Sequence, residues 1–421
     1  MSMNSRLNER PSGAKMPVLF VSSAEHPGAD TFIHMLIMRS LDRARFDVHV
    51  ACSACPPDAR TKGYNALAAL PNIQLREADF GPTLDGLSRG AKALRAFRLI
   101  PTLFGFVSLA RYIRSNGITI LHSTDRPRDA VACVVLGKMS GAKSIVHAHL
   151  KCADWLNKSV RWAMGRADAV IGVSEFVAQS LVDCGYDRAK VHAVLNAIDL
   201  PRWDYRIDGT RVRKELGIPS GAPVIACAAR LFRSKGQAET VRAVAKVRAE
   251  FPDVRLLIIG ADDRQVMKES FTEELTKLAA ELGASENVIF TGLRSDMPDV
   301  MAASDLFALP SDEEPFGLVF TEALAMKKPV VALANGGTLE IVEHGKSGLL
   351  SPKDDVDALA DNIRTLLRDP ALRARMGEYG RRVVEARFTA QRMASDVAQV
   401  YTALAPATNI GPVALHTRAT P

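Results

Sequence analysis

The chain has 421 residues, a net charge of +7 and a pI near 9.1. Apolar residues make up 47% and charged residues 24%, an ordinary globular balance with enough material for two domains and their cores. The basic excess favours an anionic partner. Aromatics are only 6% and do not alternate with basic stretches, which speaks against nucleic acid.

Residues 1–16 are polar and read as a disordered tail. The first apolar run, "MPVLFVSS", is too short for a secretory core. Short β-branched runs then alternate with helical patterns. In the first half they are "VLFVSS", "FDVHVACS", "ITILHST", "KSIVHAHL", "AVIGVS" and "VHAVLN". In the second half they are "PVIACAARL", "RLLIIGA", "VIFTG", "LFALPS", "PVVALA" and "GLLSP". Continuous apolar strands between helices imply parallel sheets covered on both faces. Each half can form a doubly wound α/β domain that binds ligands beyond the carboxyl ends of its strands. The expected organisation is a Rossmann-like domain over 17–200, a second over 201–388, a terminal helix over 389–405 and a tail over 406–421. The join falls in the Pro-, Gly- and charge-rich stretch 196–223, and a deep cleft between the domains is the default site.

The longest near-apolar stretch, "LIPTLFGFVSLA", has 12 residues, whereas a bilayer span needs about 20. Six cysteines are scattered, and apart from Cys52 and Cys55 none shows a framework spacing. They read as reduced thiols in a cytoplasmic chain. Metal is not expected. Asp355-Val-Asp357 reads as a helix cap, and no second cysteine pair or suitably spaced histidines accompany Cys52 and Cys55.

Two motifs carry chemistry. In "SDEEPFGLVFTE", Glu314 precedes a helix that begins near Phe316 or Gly317, and Glu322 lies about two turns inside it. The free amides of Gly317, Leu318 and Val319 form an anion site. Glu314 can take sugar hydroxyls, and Glu322 can take both hydroxyls of a ribose. On their own, two glutamates at this spacing read better as a solvated loop acid and a helix-surface acid. In "ACAARLFRSKG", Arg230 and Lys235 follow the first strand of the second half, where they can straddle a diphosphate.

Together these segments resemble the retaining glycosyltransferases of the GT-B fold, specifically glycosyltransferase family four. That family carries an Arg-x4-Lys-Gly loop and a Glu-x7-Glu motif, here "RLFRSKG" and "EPFGLVFTE". The resemblance extends over nearly all of residues 17–405. It implies two facing Rossmann-like domains, with the last helix crossing back to the first. It also implies that Arg230 and Lys235 neutralise the leaving diphosphate, Glu314 faces the donor sugar and Glu322 binds the ribose. Phe316, Gly317 and Leu318 would surround sugar and phosphate, and Leu293 and Arg294 would line the base pocket. His149 matches the family's active-site histidine, with His147 on the same strand face; His122 reads as core. Gly28 stands where relatives carry a Gly-Gly pair against the diphosphate, with one glycine missing here.

The implied reaction moves a sugar from a UDP- or GDP-sugar to a hydroxyl acceptor in polysaccharide, lipopolysaccharide or glycolipid synthesis. It needs no cofactor and no metal, because two cations and a helix terminus supply the charge. A nucleotide-sugar epimerase of the same fold and a non-catalytic nucleotide binder are the alternatives. Residues 87–117 carry Arg89, Lys92, Arg95, Arg98, Arg111 and Arg114 and no acid, beside Leu94, Phe97, Phe104, Phe106 and Leu109. Pro101 is expected to divide this stretch into two helices. Such a basic amphipathic surface suits an anionic membrane on the cytoplasmic face of the inner membrane, and with it a lipid-linked acceptor. Covering the first sheet is the competing use of the stretch.

Overall fold

The computed structural model describes residues 15–81, 99–262 and 269–405. They form two parallel sheets. The first has seven strands in the order β3-β2-β1-β4-β5-β6-β7: β1 Met16–Ser22, β2 Phe46–Ser53, β3 Gln74–Ala78, β4 Ile120–Thr124, β5 Lys143–Ala148, β6 Ala169–Gly172 and β7 Val191–Ala193. The second has six strands in the order β10-β9-β8-β11-β12-β13: β8 Val224–Ala228, β9 Arg255–Ile259, β10 Val288–Gly292, β11 Leu306–Leu309, β12 Val330–Leu333 and β13 Gly348–Ser351. Every run predicted as a strand contains one. β3 was not predicted. It is an edge strand with exposed and half-buried positions, so its sequence has no continuous apolar run.

Strand order reverses between β1 and β4 in the first sheet and between β8 and β11 in the second. A crevice opens beyond the carboxyl ends of the strands at each such point. At the first, buried Asp129 accepts from the Ser23 amide at 2.7 Å and the Thr124 hydroxyl at 3.2 Å, which ties the loop after β1 to the helix after β4.

The stretch between the sheets is ordered. It contains the helix Thr210–Glu215 and buries Trp203. Ile198 lies beside Thr389, donating its amide to the Phe388 carbonyl at 3.1 Å, so the chain's two passages between the sheets run side by side. The last helix, Ala390–Leu404, packs on the first sheet. Its Met393, Val397 and Tyr401 join Ile33 and Ile37 of the helix Ala29–Ser40 in one buried cluster. The Tyr401 hydroxyl meets His122 Nδ1 at 2.6 Å.

No helix among the described residues is long and apolar enough to cross a membrane. Leu99–Ser115 is one helix, with Pro101 in its first turn, where the missing N–H costs nothing. Leu109 is buried on it, Phe106 is half-buried, and Leu103 and Phe104 are exposed. Leu94, Phe97, Arg89, Lys92, Arg95 and Arg98 lie outside the described residues.

Candidate functional site

The second switch point brings the two quoted motifs together. Lys235 ends a tight turn, Arg233–Lys235, and Gly236 follows at φ 77°. A Cβ on Gly236 would sit 2.2 Å from the Pro310 carbonyl oxygen, so only glycine lets the loop after β8 touch the loop after β11. The Asp312 amide donates to the Ser234 carbonyl at 3.0 Å across the same seam. Lys235 Nζ thereby reaches Glu314 Oε2 at 2.6 Å, and the Ser311 hydroxyl donates to the same oxygen at 2.7 Å. Arg230 is exposed just past β8, with its carbonyl held by Gln237 Nε2 at 2.9 Å.

The helix after Glu314 spans Leu318–Ala325, one or two residues later than expected. Gly317 caps it at φ 97°, and a Cβ there would press into the Phe320 ring at 2.4 Å. The amides of Leu318 and Val319 fall in the first turn, which has no intrahelical acceptors. The Phe316 ring is buried edge-on to Phe388, with centroids 5.7 Å apart, so a ligand meets Phe316 through its backbone. Glu322 is partly exposed, and its carboxylate accepts no hydrogen bond from the described residues. Burial pushes its carboxyl up to about 7, with Arg202 pulling the other way.

Leu293 is 80% exposed beyond β10. The Arg294 guanidinium is shared between Glu215 and Asp296. That ion-pair network explains why its charge is so firmly held and leaves the side chain little freedom to meet a base.

The first sheet faces this loop cluster. Lys151, two residues past His149, pairs with Glu313 at 2.5 Å. Glu313 holds a left-handed backbone at φ 47°, unusual for a residue with a side chain. The Ser174 hydroxyl donates to the Pro315 carbonyl at 2.5 Å. Glu340 accepts from the amides of Glu175 and Phe176 at 2.9 and 2.8 Å, an acid from the second half seated on a helix start of the first. His149 donates its backbone N–H to Asp125 Oδ2 at 2.8 Å. Burial pushes its imidazole below the ordinary histidine value, against the opposing fields of Asp125 and Asp30. Gly28 caps the helix Ala29–Ser40 beside Asp30, whose carboxylate is gripped by Arg126 at 2.5 and 3.0 Å. Burial alone would raise the Asp30 carboxyl, but the hydrogen bond and charge of Arg126 outweigh it and hold it low. A Cβ on Gly28 would meet Asp30 Oδ1 at 2.7 Å.

Lys151, Glu313, Ser174, Glu340, Asp125 and the Asp30–Arg126 pair escaped the sequence reading. Glu313 and Ser174 stood inside quoted stretches, but nothing in their spacing pairs them with partners across the cleft. Asp355 caps Val356–Arg368 by accepting from the Ala358 amide at 2.8 Å, so that acidic run does belong to a helix start.

Comparison with known proteins bears on the family and the fold. Residues 208–383 match the family Glycosyl transferases group 1, and residues 28–202 match Glycosyltransferase Family 4. The chain is 37% identical over 269 residues to the GDP-mannose-dependent monoacylated alpha-(1-6)-phosphatidylinositol monomannoside mannosyltransferase of Corynebacterium glutamicum, covering 60% of this chain and 68% of that one. It is 29% identical over 301 residues to the N-acetyl-alpha-D-glucosaminyl L-malate synthase of Bacillus anthracis, covering 70% and 77%. The crystal structure of Anabaena HepE in complex with UDP and glucose superposes with a TM-score of 0.76 at 22% identity, over 92% of this chain and all of that one, which establishes the shared fold. Two matched half-chains, two facing Rossmann-like sheets and a 37% identical relative place the chain in glycosyltransferase family 4, as a retaining GT-B glycosyltransferase that takes its sugar from a nucleotide sugar.

Proposed function

We propose that the enzyme transfers a hexosyl unit from a UDP- or GDP-sugar to a hydroxyl of a lipid-linked acceptor, in glycolipid or cell-surface polysaccharide synthesis. The observation that carries this reading is the Lys235–Glu314 contact at the β8/β11 switch point, which faces the loop of His149 through the Lys151–Glu313 pair. The diphosphate lies between Arg230, Lys235 and the helix start at Leu318. The ribose meets Glu322, and the sugar lies between Glu314 and His149.

As the glycosidic bond to phosphate breaks, negative charge grows on the leaving oxygen. Arg230, Lys235 and the first-turn amides stabilise it where it develops. The acceptor hydroxyl attacks from the side the diphosphate leaves, and the departing phosphate oxygen takes its proton. Configuration at the anomeric carbon is retained without a carboxylate nucleophile.

The lipid part of the proposal is supported by exposed Leu103 and Phe104 on the helix Leu99–Ser115, and by Arg111 and Arg114 exposed on the same helix. The corynebacterial relative is named for a phosphatidylinositol-linked acceptor.

The deciding experiment is a thermal-shift panel of UDP- and GDP-sugars on the full chain, followed by a transfer assay with vesicle-borne acceptors and NMR of the product's anomeric proton. One nucleotide class should raise the midpoint, and nucleotide release should need acceptor. Conversion of the nucleotide sugar to its epimer with no net nucleotide release and no need for acceptor, as an epimerase would show, or a panel with no stabilising ligand would overturn the proposal.

A further inference from the structure

Three histidines from two segments far apart in the chain meet under the carboxyl edge of the first sheet. His147 lies within β5 and His149 just past its end, so strand alternation points both to the same face. His34, on the helix Ala29–Ser40, covers that face. Ring centroids lie 4.6 Å apart for His147 and His149, 5.4 Å for His34 and His147, and 5.9 Å for His34 and His149. One nitrogen from each ring falls within 4.8 Å of the other two.

His34 is 2% exposed and His147 is fully buried. Both ring nitrogens of each, and Nε2 of His149, have no hydrogen-bond partner among the described residues. Folded chains satisfy buried polar atoms almost without exception, so five orphan nitrogens converging on one spot call for an occupant. His122 borders the group, its ring 4.6 Å from His34, but its Nδ1 is taken by Tyr401.

We propose that His34, His147 and His149 bind a divalent transition-metal ion, zinc or a neighbour with the same preference for imidazole. Two imidazoles at alternate strand positions and a third from a facing helix form a three-nitrogen set. Calcium and magnesium are excluded by the absence of oxygen ligands in the set. Zinc–nitrogen bonds of about 2.0–2.1 Å draw the three nitrogens to roughly 3.4 Å apart, a contraction that modest ring rotations supply. Burial, reinforced by the neighbouring rings, keeps His34 and His147 neutral, the form that donates a lone pair. Asp125 and Asp30 oppose the effect of burial at His149, the Arg126 cation adds to it, and Asp125 anchors the His149 backbone. If His149 faces the donor sugar as proposed above, an ion on it blocks transfer. The site itself does not depend on that reading.

The test uses the full chain stripped with chelator and titrated with cobalt(II) and zinc(II) chlorides. Cobalt should bind one ion per chain with the intense visible bands of four-coordinate nitrogen ligation and no thiolate charge-transfer band. Zinc should displace it. His34→Asn should weaken both by more than the roughly 10–100-fold typical of an outer-partner change. His149→Asn, at a less buried position, gives the same test if the first variant does not fold. Cys184→Ser, which removes the exposed thiol, should change nothing. Metal-free His34→Asn should still transfer sugar and should no longer be inhibited by zinc. Absence of binding, binding unchanged in both histidine variants, or a charge-transfer band lost with Cys184 would overturn the site and leave an enclosed water cluster as the occupant.

Discussion

Lys235 Nζ lies 2.6 Å from Glu314 Oε2, joining the cation assigned to the leaving diphosphate and the acid assigned to the donor sugar. Both side chains are mostly buried, at 21% and 14% exposure, so neither charge is well served by water alone. A diphosphate entering this site competes for Lys235 with a carboxylate already in place.

Two opposite effects follow from that pairing. Lys235→Ala and Arg230→Ala should each lower kcat by about 10²–10³, the roughly 2.7–4 kcal/mol expected when one preorganised charge is removed from a developing anion. Glu314→Ala should leave nucleotide affinity unchanged or tighter, because Lys235 is released, while transfer falls. Calorimetry with UDP and GDP beside steady-state kinetics checks both. Weaker nucleotide binding in Glu314→Ala would reverse the assignment of ribose and sugar.

Glu322 predicts a pH dependence. Its carboxyl sits near 7 because burial disfavours the anion, and a ribose diol is held best by the anion. Affinity for a nucleotide sugar should therefore rise from pH 6 to pH 8, and Glu322→Gln should bind weakly with a flatter profile. The free enzyme should respond in the opposite sense. A carboxyl raised in the fold stabilises it fully below the unfolded value, near 4.5, and that stability is lost as pH rises toward 7. Denaturant midpoints of the wild type and Glu322→Gln across pH 4.5–7 test this; parallel curves would refute it.

The turn at Gly317 should tolerate no side chain. At φ 97° any L-residue is strained by about 1–3 kcal/mol, and a Cβ there would overlap the Phe320 ring. Gly317→Ala should lose most transfer activity and bind nucleotide more weakly, since moving the turn moves the amides of Leu318 and Val319. Thermal midpoints with and without UDP separate the loss of stability from the loss of binding.

Tyr401 fastens the last helix to the first sheet. Tyr401→Phe should cost about 0.5–1.5 kcal/mol for the lost bond to His122, and Tyr401→Ala about 3–5 kcal/mol for the emptied core position. Urea unfolding followed by circular dichroism measures both. Near-wild-type stability of the alanine variant would mean that this helix does not hold the sheet.

The sequence by itself determined the two parallel sheets, twelve of whose thirteen strands are written as continuous apolar runs. A strand buried on both faces must be apolar throughout, and that pattern is local. It also marked "RLFRSKG" and "EPFGLVFTE", because glycines and helix starts leave short-range signatures. Tertiary structure decided what those motifs touch. Gly236 against Pro310 sets Lys235 on Glu314, and Lys151 reaches Glu313 across 162 positions of chain. Arg294, expected from sequence to line the base pocket, pairs with Glu215, 79 positions away. β3 escaped notice because a half-exposed edge strand need not be apolar. The approach of His34 to His147 and His149 was equally hidden, since a helix crossing a strand leaves no periodic trace. Long-range pairing depends on the path of the whole chain, and no window of residues carries it.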